Sequence, residues 1–134
     1  MRTARFITVA ISAVLLLALP ASAKEGVRAK LEGTVRLGAA PGKTIGVTWR
    51  LVDAHGHAFG ASGIYLRVSR CGGGLRRLKA RNLGGGRFAA RLIVPPRGIR
   101  KLRVGLAGWR IAGGKAQRAD MLFEFDPPLV RRCA

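Results

Sequence analysis

Apolar residues alternate with polar or charged ones in six separate segments of this 134-residue chain. The segments are Lys30–Leu37, Thr44–Val52, Gly63–Arg70, Arg87–Val94, Arg100–Ala107 and Ala119–Asp126. A period of two places successive side chains on opposite faces of an extended backbone, so each segment is predicted to be a strand with one buried face. A weaker seventh segment, Leu75–Arg81, has only two leucines in a basic run.

Turn-forming residues fall between these segments, as in Gly72–Gly74, Gly84–Gly86 and Pro127-Pro128. No window after the N-terminal segment repeats every 3.6 residues, as an amphipathic helix would. About seven short strands with regular turn signals predict an all-β fold, an antiparallel β-sandwich. Trp49 and Phe123 are the largest candidates for its core, and a small closed barrel is the alternative architecture.

The first 23 residues have the order of a secretory signal peptide. Arg2 and Arg5 precede the apolar run Phe6–Leu19, and Ala21-Ser22-Ala23 supplies small residues for cleavage after Ala23. The run of about 14 residues is shorter than a membrane-spanning helix needs. We therefore expect a signal helix over 1–23 and a single domain over 24–134. We expect the mature chain to have no transmembrane segment and to be secreted or extracytoplasmic, with association to the cell envelope as one possibility.

The two cysteines, Cys71 and Cys133, are predicted to form a disulfide because an exported chain meets an oxidising compartment. The bond would tie the C-terminal tail to the middle of the domain and close a loop of about 63 residues. The alternative is two separate thiols.

The positive charge of the chain is one-sided. There are 25 Lys and Arg residues against 6 Asp and Glu, a net charge of +19, and loss of Arg2 and Arg5 with the signal leaves +17. No acidic residue lies between Asp53 and Asp120. Such a field attracts polyanions, and the anion-binding residues are predicted to be Arg67, Arg70, Arg76, Arg77, Lys79, Arg81 and Arg87.

The predicted partners of this cluster are anionic envelope polymers, such as teichoic acids, or lipid head groups. Tyr65 is the only aromatic residue expected to be exposed nearby, so stacking on bases has little support. Together with export, this argues against sequence-specific nucleic-acid recognition. The alternative is a solvated basic surface in which part of the arginine excess reflects a GC-rich coding sequence.

Both histidines, His55 and His57, lie in one short loop, two and four residues after Asp53. In an extended loop, residues two apart point the same way, so Asp53, His55 and His57 are candidate ligands for copper or zinc. The competing interpretation is an ordinary turn in which Asp53 accepts hydrogen bonds from the local backbone and Gly56 has a positive φ.

Catalysis has little support in the sequence. Hydroxyl side chains are few, no serine lies in a nucleophile motif, and the two histidines share one loop. We predict that the protein is not an enzyme, needs no cofactor and is a monomer.

Several stretches resemble a class of small exported bacterial proteins with an immunoglobulin-like, or YtkA-like, sandwich. The similar stretches are Trp49–Asp53, Gly56–Arg67, Gly105–Trp109 and Asp120–Phe123. The resemblance covers roughly residues 30–128 and rests on turn and core positions. It implies an immunoglobulin-like β-sandwich and no catalytic residues. The chain departs from antibody domains in lacking their Cys–Trp–Cys arrangement.

These observations favour a non-enzymatic binding or structural module whose basic surface contacts anionic polymers or lipids. Two alternative functions are also compatible with the sequence. One is a periplasmic or surface metal-binding protein that uses Asp53, His55 and His57, and the other is a cationic secreted effector that acts on anionic membranes.

The signal peptide gives a first testable expectation. The exported protein should begin at Lys24, since cleavage follows Ala23. Mass spectrometry of the mature N-terminus measures this directly, and an exported chain that still begins at Met1 would contradict it.

Overall fold

The computed structural model describes residues 26–134, and the predicted signal peptide lies outside them. Ten strands are present in the described part, and no helix is. They are β1 (Arg28–Glu32), β2 (Thr44–Val52), β3 (Ile64–Arg70), β4 (Leu75–Lys79), β5 (Arg81–Gly84), β6 (Arg87–Ile93), β7 (Ile99–Leu106), β8 (Trp109–Ala112), β9 (Lys115–Arg118) and β10 (Met121–Val130). The prediction of an all-β fold is confirmed. Within residues 26–134, no helix has the length and apolar character that crossing a bilayer requires.

Eight of the strands form one sheet in the order β4-β3-β7-β10-β1-β2-β6-β5, and β8 and β9 form a separate hairpin. All neighbours in the sheet are antiparallel except β1 and β10, which are parallel. Only Ala80 separates β4 from β5, and β4 also contacts β6. The sheet therefore curls over its apolar face until it is nearly closed.

The core lies inside this curl and is centred on Trp49. The indole is fully buried, stacks on Phe88 at 6.2 Å between ring centroids, and meets the edge of Phe125 at 5.7 Å. The apolar set of each alternating segment points inward, as predicted, and among the described residues no polar or charged residue is buried. Burial of apolar surface stabilises the fold by about 25 cal/mol per Å², so this core is the main source of stability.

The strand count and two boundaries differ from the sequence prediction. The structure has ten strands rather than about seven, and β1 ends at Glu32 although the alternation continues to Leu37. Gly33 has a φ of +77°, which turns the chain out of the sheet, yet Leu37 still packs in the core. The basic run predicted as one strand divides at Ala80 into β4 and β5, which lie at opposite edges of the sheet.

The predicted turn at Pro127-Pro128 is wrong, because both prolines lie within β10. Pairing of β10 with β7 is interrupted between Glu124 and Leu129. Prolines have no N–H to donate, so they occupy the one stretch of the strand where the ladder is already broken.

The two cysteine sulfurs lie at disulfide-bonding distance, in agreement with the predicted pairing. Cys71 follows β3 and is buried, while Cys133 follows β10, and their Cα atoms are 5.7 Å apart. The bond therefore joins the ends of two strands that both pair with β7.

Loss of this bond should lower the free energy of unfolding by about 4 kcal/mol, because the closed loop restricts the unfolded chain. The double variant Cys71→Ser/Cys133→Ser and the reduced wild type should show the same loss in urea unfolding. The double variant should also be insensitive to reductant. Equal stability of oxidised and reduced wild type would contradict the pairing.

Candidate functional site

Three arginines lie side by side across three neighbouring strands. Arg67 on β3 is directly opposite Arg77 on β4 and directly opposite Arg103 on β7. Arg103 is in turn opposite Glu124 on β10. These side chains alternate with inward-facing core residues, so they lie on the outer face of the sheet. We call Arg77, Arg67 and Arg103 the arginine row.

The row is electrostatically costly, because like charges directly opposite each other in a sheet repel. The Glu124 carboxylate lies 3.6 Å from Nη1 of Arg103, but it is closer, at 2.9 Å, to Nζ of Lys101. Within residues 26–134, Arg67 forms no salt bridge, and the buried Nε of Arg103 has no hydrogen-bond partner. The arginine row therefore has more N–H donors than the carboxylates beside it can accept.

Two lysines extend the positive charge to either side of the row. Lys79 pairs with Tyr65 one register step along the sheet, and Lys101 pairs with Ser69 on the other side. We call the five cations together the basic face: Arg67, Arg77, Lys79, Lys101 and Arg103.

At one end of the basic face a cluster around Asp120 holds Arg77. The Tyr65 hydroxyl donates a hydrogen bond to Asp120. The same carboxylate accepts the backbone N–H of Gly108 at 3.2 Å and Nε of Arg118 at 2.8 Å. Nε of Arg77 lies 3.7 Å from it. The carboxylate thus fixes one end of the arginine row.

Sequence reasoning missed this cluster, because Tyr65 occupies an outward position and was predicted to be exposed. It is only 5% exposed, because its ring occupies the space beside Gly105 of β7. A Cβ at Gly105 would lie 2.0 Å from Cζ of Tyr65, so only glycine leaves room for the ring. The signal available in the sequence was a glycine inside an otherwise regular strand, one residue before the end of β7.

The environment of Asp120 favours its ionised form. Burial raises the pKa of this carboxyl, but the hydrogen bonds from Tyr65, Arg118 and Gly108 outweigh burial and hold the pKa below its usual value. Burial and the bond to Asp120 together raise the pKa of Tyr65. At neutral pH the cluster is therefore a carboxylate bound by a neutral phenol and a guanidinium.

The structure does not bring all of the predicted anion-binding residues together. Arg67, Arg77 and Lys79 share the basic face. Arg76 is opposite Val68, an inward-facing position, and so lies on the other face of the edge strand β4. Arg70 ends β3 and lies against the Gly74 backbone.

The last two predicted residues belong to the other half of the sheet. Arg81 is on β5 and lines a shallow groove with Lys79 and Arg91. Arg87 on β6 donates hydrogen bonds to the Glu32 carboxylate, from Nη2 at 2.7 Å and from Nε at 3.0 Å. The hydrogen bond from Arg87 is the main reason why the pKa of Glu32 is lowered. Arg87 is thus already engaged by a carboxylate.

The histidine loop has the geometry of a turn. Oδ1 of Asp53 accepts the backbone N–H groups of His55 at 2.8 Å and His57 at 2.9 Å. The bond from His57 is the largest cause of the lowered pKa of Asp53. The two exposed imidazoles are 6.2 Å apart between centroids. No group of three potential metal ligands is assembled anywhere in residues 26–134, so copper or zinc binding stays a prediction that gains no support.

No family model, curated protein or solved structure matches this chain.

The Asp120 cluster predicts a component of acid sensitivity. A carboxyl whose pKa is lowered on folding contributes stability above about pH 4, and this contribution is lost as the pH falls through the folded-state pKa. Asp120→Asn should reduce stability at pH 7 and remove this component, so that wild type and variant converge towards pH 2. Urea midpoints measured over that pH range test it, and a constant difference between the two proteins would contradict it.

Proposed function

We propose that this protein is an exported, non-enzymatic binding module whose basic face contacts anionic polymers or lipid head groups of the cell envelope. The observation that carries the proposal is the arginine row, three arginines at directly opposite positions of neighbouring strands, with Glu124 beside Arg103 and Asp120 beside Arg77. Self-repulsion on this scale is relieved when a polyanion binds, so binding recovers a cost that folding has incurred.

The spacing of the row suits a ligand with several anionic groups. Neighbouring strands are about 4.8 Å apart, so the three arginines extend over about 10 Å. One guanidinium group can bind two phosphate oxygens at once. Each of these charge-assisted hydrogen bonds is stronger than a hydrogen bond between neutral groups. A phosphate-rich polymer can engage several arginines at once and gain affinity from multivalency.

Export supports the choice of partner. The signal sequence directs the chain outward, and the paired cysteines are compatible with an extracytoplasmic location. We also propose an immunoglobulin-like arrangement, and the strand order supports it. The halves β1-β2-β6-β5 and β10-β7-β3-β4 match the ABED and GFC sheets with an added edge strand.

Binding of inorganic polyphosphate to the purified protein tests the proposal. The affinity for polyphosphate should fall steeply as the salt concentration rises, because binding releases counterions from the polymer. The double variant Arg67→Gln/Arg77→Gln should weaken binding by about tenfold or more at low salt and flatten the salt dependence. The matched control, Arg28→Gln/Arg36→Gln, removes two exposed positive charges from β1 and the loop that follows it, outside the basic face, and should have little effect.

Removal of a carboxylate gives the opposite result. Glu124→Gln frees Lys101 and Arg103 and should tighten polyphosphate binding. Glu32→Gln changes the net charge equally but frees Arg87 on the other half of the sheet, so it should leave binding nearly unchanged. Equal tightening by both variants would show that net charge alone attracts the polymer and would overturn the assignment to the basic face.

A further inference from the structure

The β8–β9 hairpin lies outside the eight-stranded sheet. Its two strands of four residues are joined by the turn Gly113-Gly114. Trp109 pairs with Arg118 at its base, and Ile111 pairs with Ala116 nearer the turn. Trp109 and Ile111 are two residues apart and therefore share one face of the hairpin.

This face carries the most exposed large apolar residues of the described chain. Ile111 is 82% exposed and Trp109 is 70% exposed. Neither belongs to the hydrophobic core cluster. The hairpin therefore gains little from burying them within its own fold, which leaves their apolar surface free for another environment.

The charges of the hairpin identify that environment. Arg110 and Lys115 occupy its other face, and residues 54–119 contain no acidic side chain. Tryptophan with basic neighbours is typical of segments that enter the head-group region of a bilayer. Two apolar side chains are also too small a patch for a specific protein interface, which buries about 800 Å² on each partner.

The apolar face of the hairpin begins beside the basic face. Arg118, the cross-strand partner of Trp109, lies with its guanidinium carbon 5.7 Å from the centre of the Tyr65 ring and is hydrogen-bonded to Asp120. Arg77 of the arginine row is bound to the same carboxylate. One surface can thus present cations to head groups and the hairpin to the acyl chains below them.

We propose that the β8–β9 hairpin inserts Trp109 and Ile111 into the interface of an anionic lipid bilayer. This inference deepens the proposed function, since it rests on binding to anions and commits one part of the surface to lipid. Four-residue strands are about 13 Å long, which suits entry to the interfacial depth of roughly 5–10 Å rather than spanning.

The fluorescence of Trp109 reports on insertion directly, because the other tryptophan, Trp49, is completely buried. Phosphatidylcholine vesicles with roughly one-third phosphatidylglycerol should shift the emission to the blue, and brominated acyl chains should quench it. In Trp109→Phe the remaining emission should neither shift nor be quenched, although the protein still sediments with the vesicles. Binding without quenching in the wild type would overturn insertion.

Affinity for the same vesicles separates the hairpin from the basic face. Ile111→Ser should weaken vesicle binding by about tenfold, the effect of one buried aliphatic side chain. Gln117→Ser, on the other face of the hairpin, should not. Polyphosphate binding should be unchanged in Ile111→Ser. An equal loss for polyphosphate and vesicles in that variant would overturn the inference.

Failure of the two proposals is distinguishable. If polyphosphate does not bind the wild type but anionic vesicles quench Trp109, the basic face is wrong and the hairpin stands. If polyphosphate binds and Ile111→Ser keeps full vesicle affinity, the hairpin is wrong and the basic face stands. Dimerisation of lipid-free protein that Ile111→Ser abolishes would assign this face to a second copy and overturn the inference.

Discussion

The packing of Trp49 against Phe88 and Phe125 is the contact on which the rest of the molecule depends. The three rings come from β2, β6 and β10, so they join strands that are neighbours in the sheet to one that is not. Because no polar or charged residue of the described chain is buried, the charged residues lie at the surface. In strands with a period of two, they must then occupy the outward positions of adjacent strands.

This constraint turns a high net charge into a defined surface. Cations on neighbouring strands fall into register, as Arg77, Arg67 and Arg103 do, instead of spreading evenly. Carboxylates are too few to neutralise them, and those present are placed unequally. Glu32 engages Arg87 on one half of the sheet, whereas Asp120 acts at the end of the basic face, where it fixes Arg77 beside Tyr65.

Much of the core could be predicted from the alternation alone, because the inward positions of each segment are apolar and the structure buries them. The β8–β9 hairpin could not be predicted from the alternation, because Lys115–Arg118 has no apolar face and all four residues are exposed. Which of the predicted anion-binding residues share one face of the sheet also depends on the fold. Neighbours in sequence, such as Arg76 and Arg77, point to opposite faces of a strand, whereas Arg103 joins Arg67 only through strand pairing.

The bond between Cys71 and Cys133 joins residues that are 62 positions apart in the sequence. The segment between them includes the whole β8–β9 hairpin. An exposed hairpin is open to proteases, and Gly113-Gly114 is the tip of this one. A single cut there leaves two polypeptides that remain covalently joined, with β10 still paired to both β7 and β1. A cut at the tip of this exposed hairpin therefore releases neither fragment.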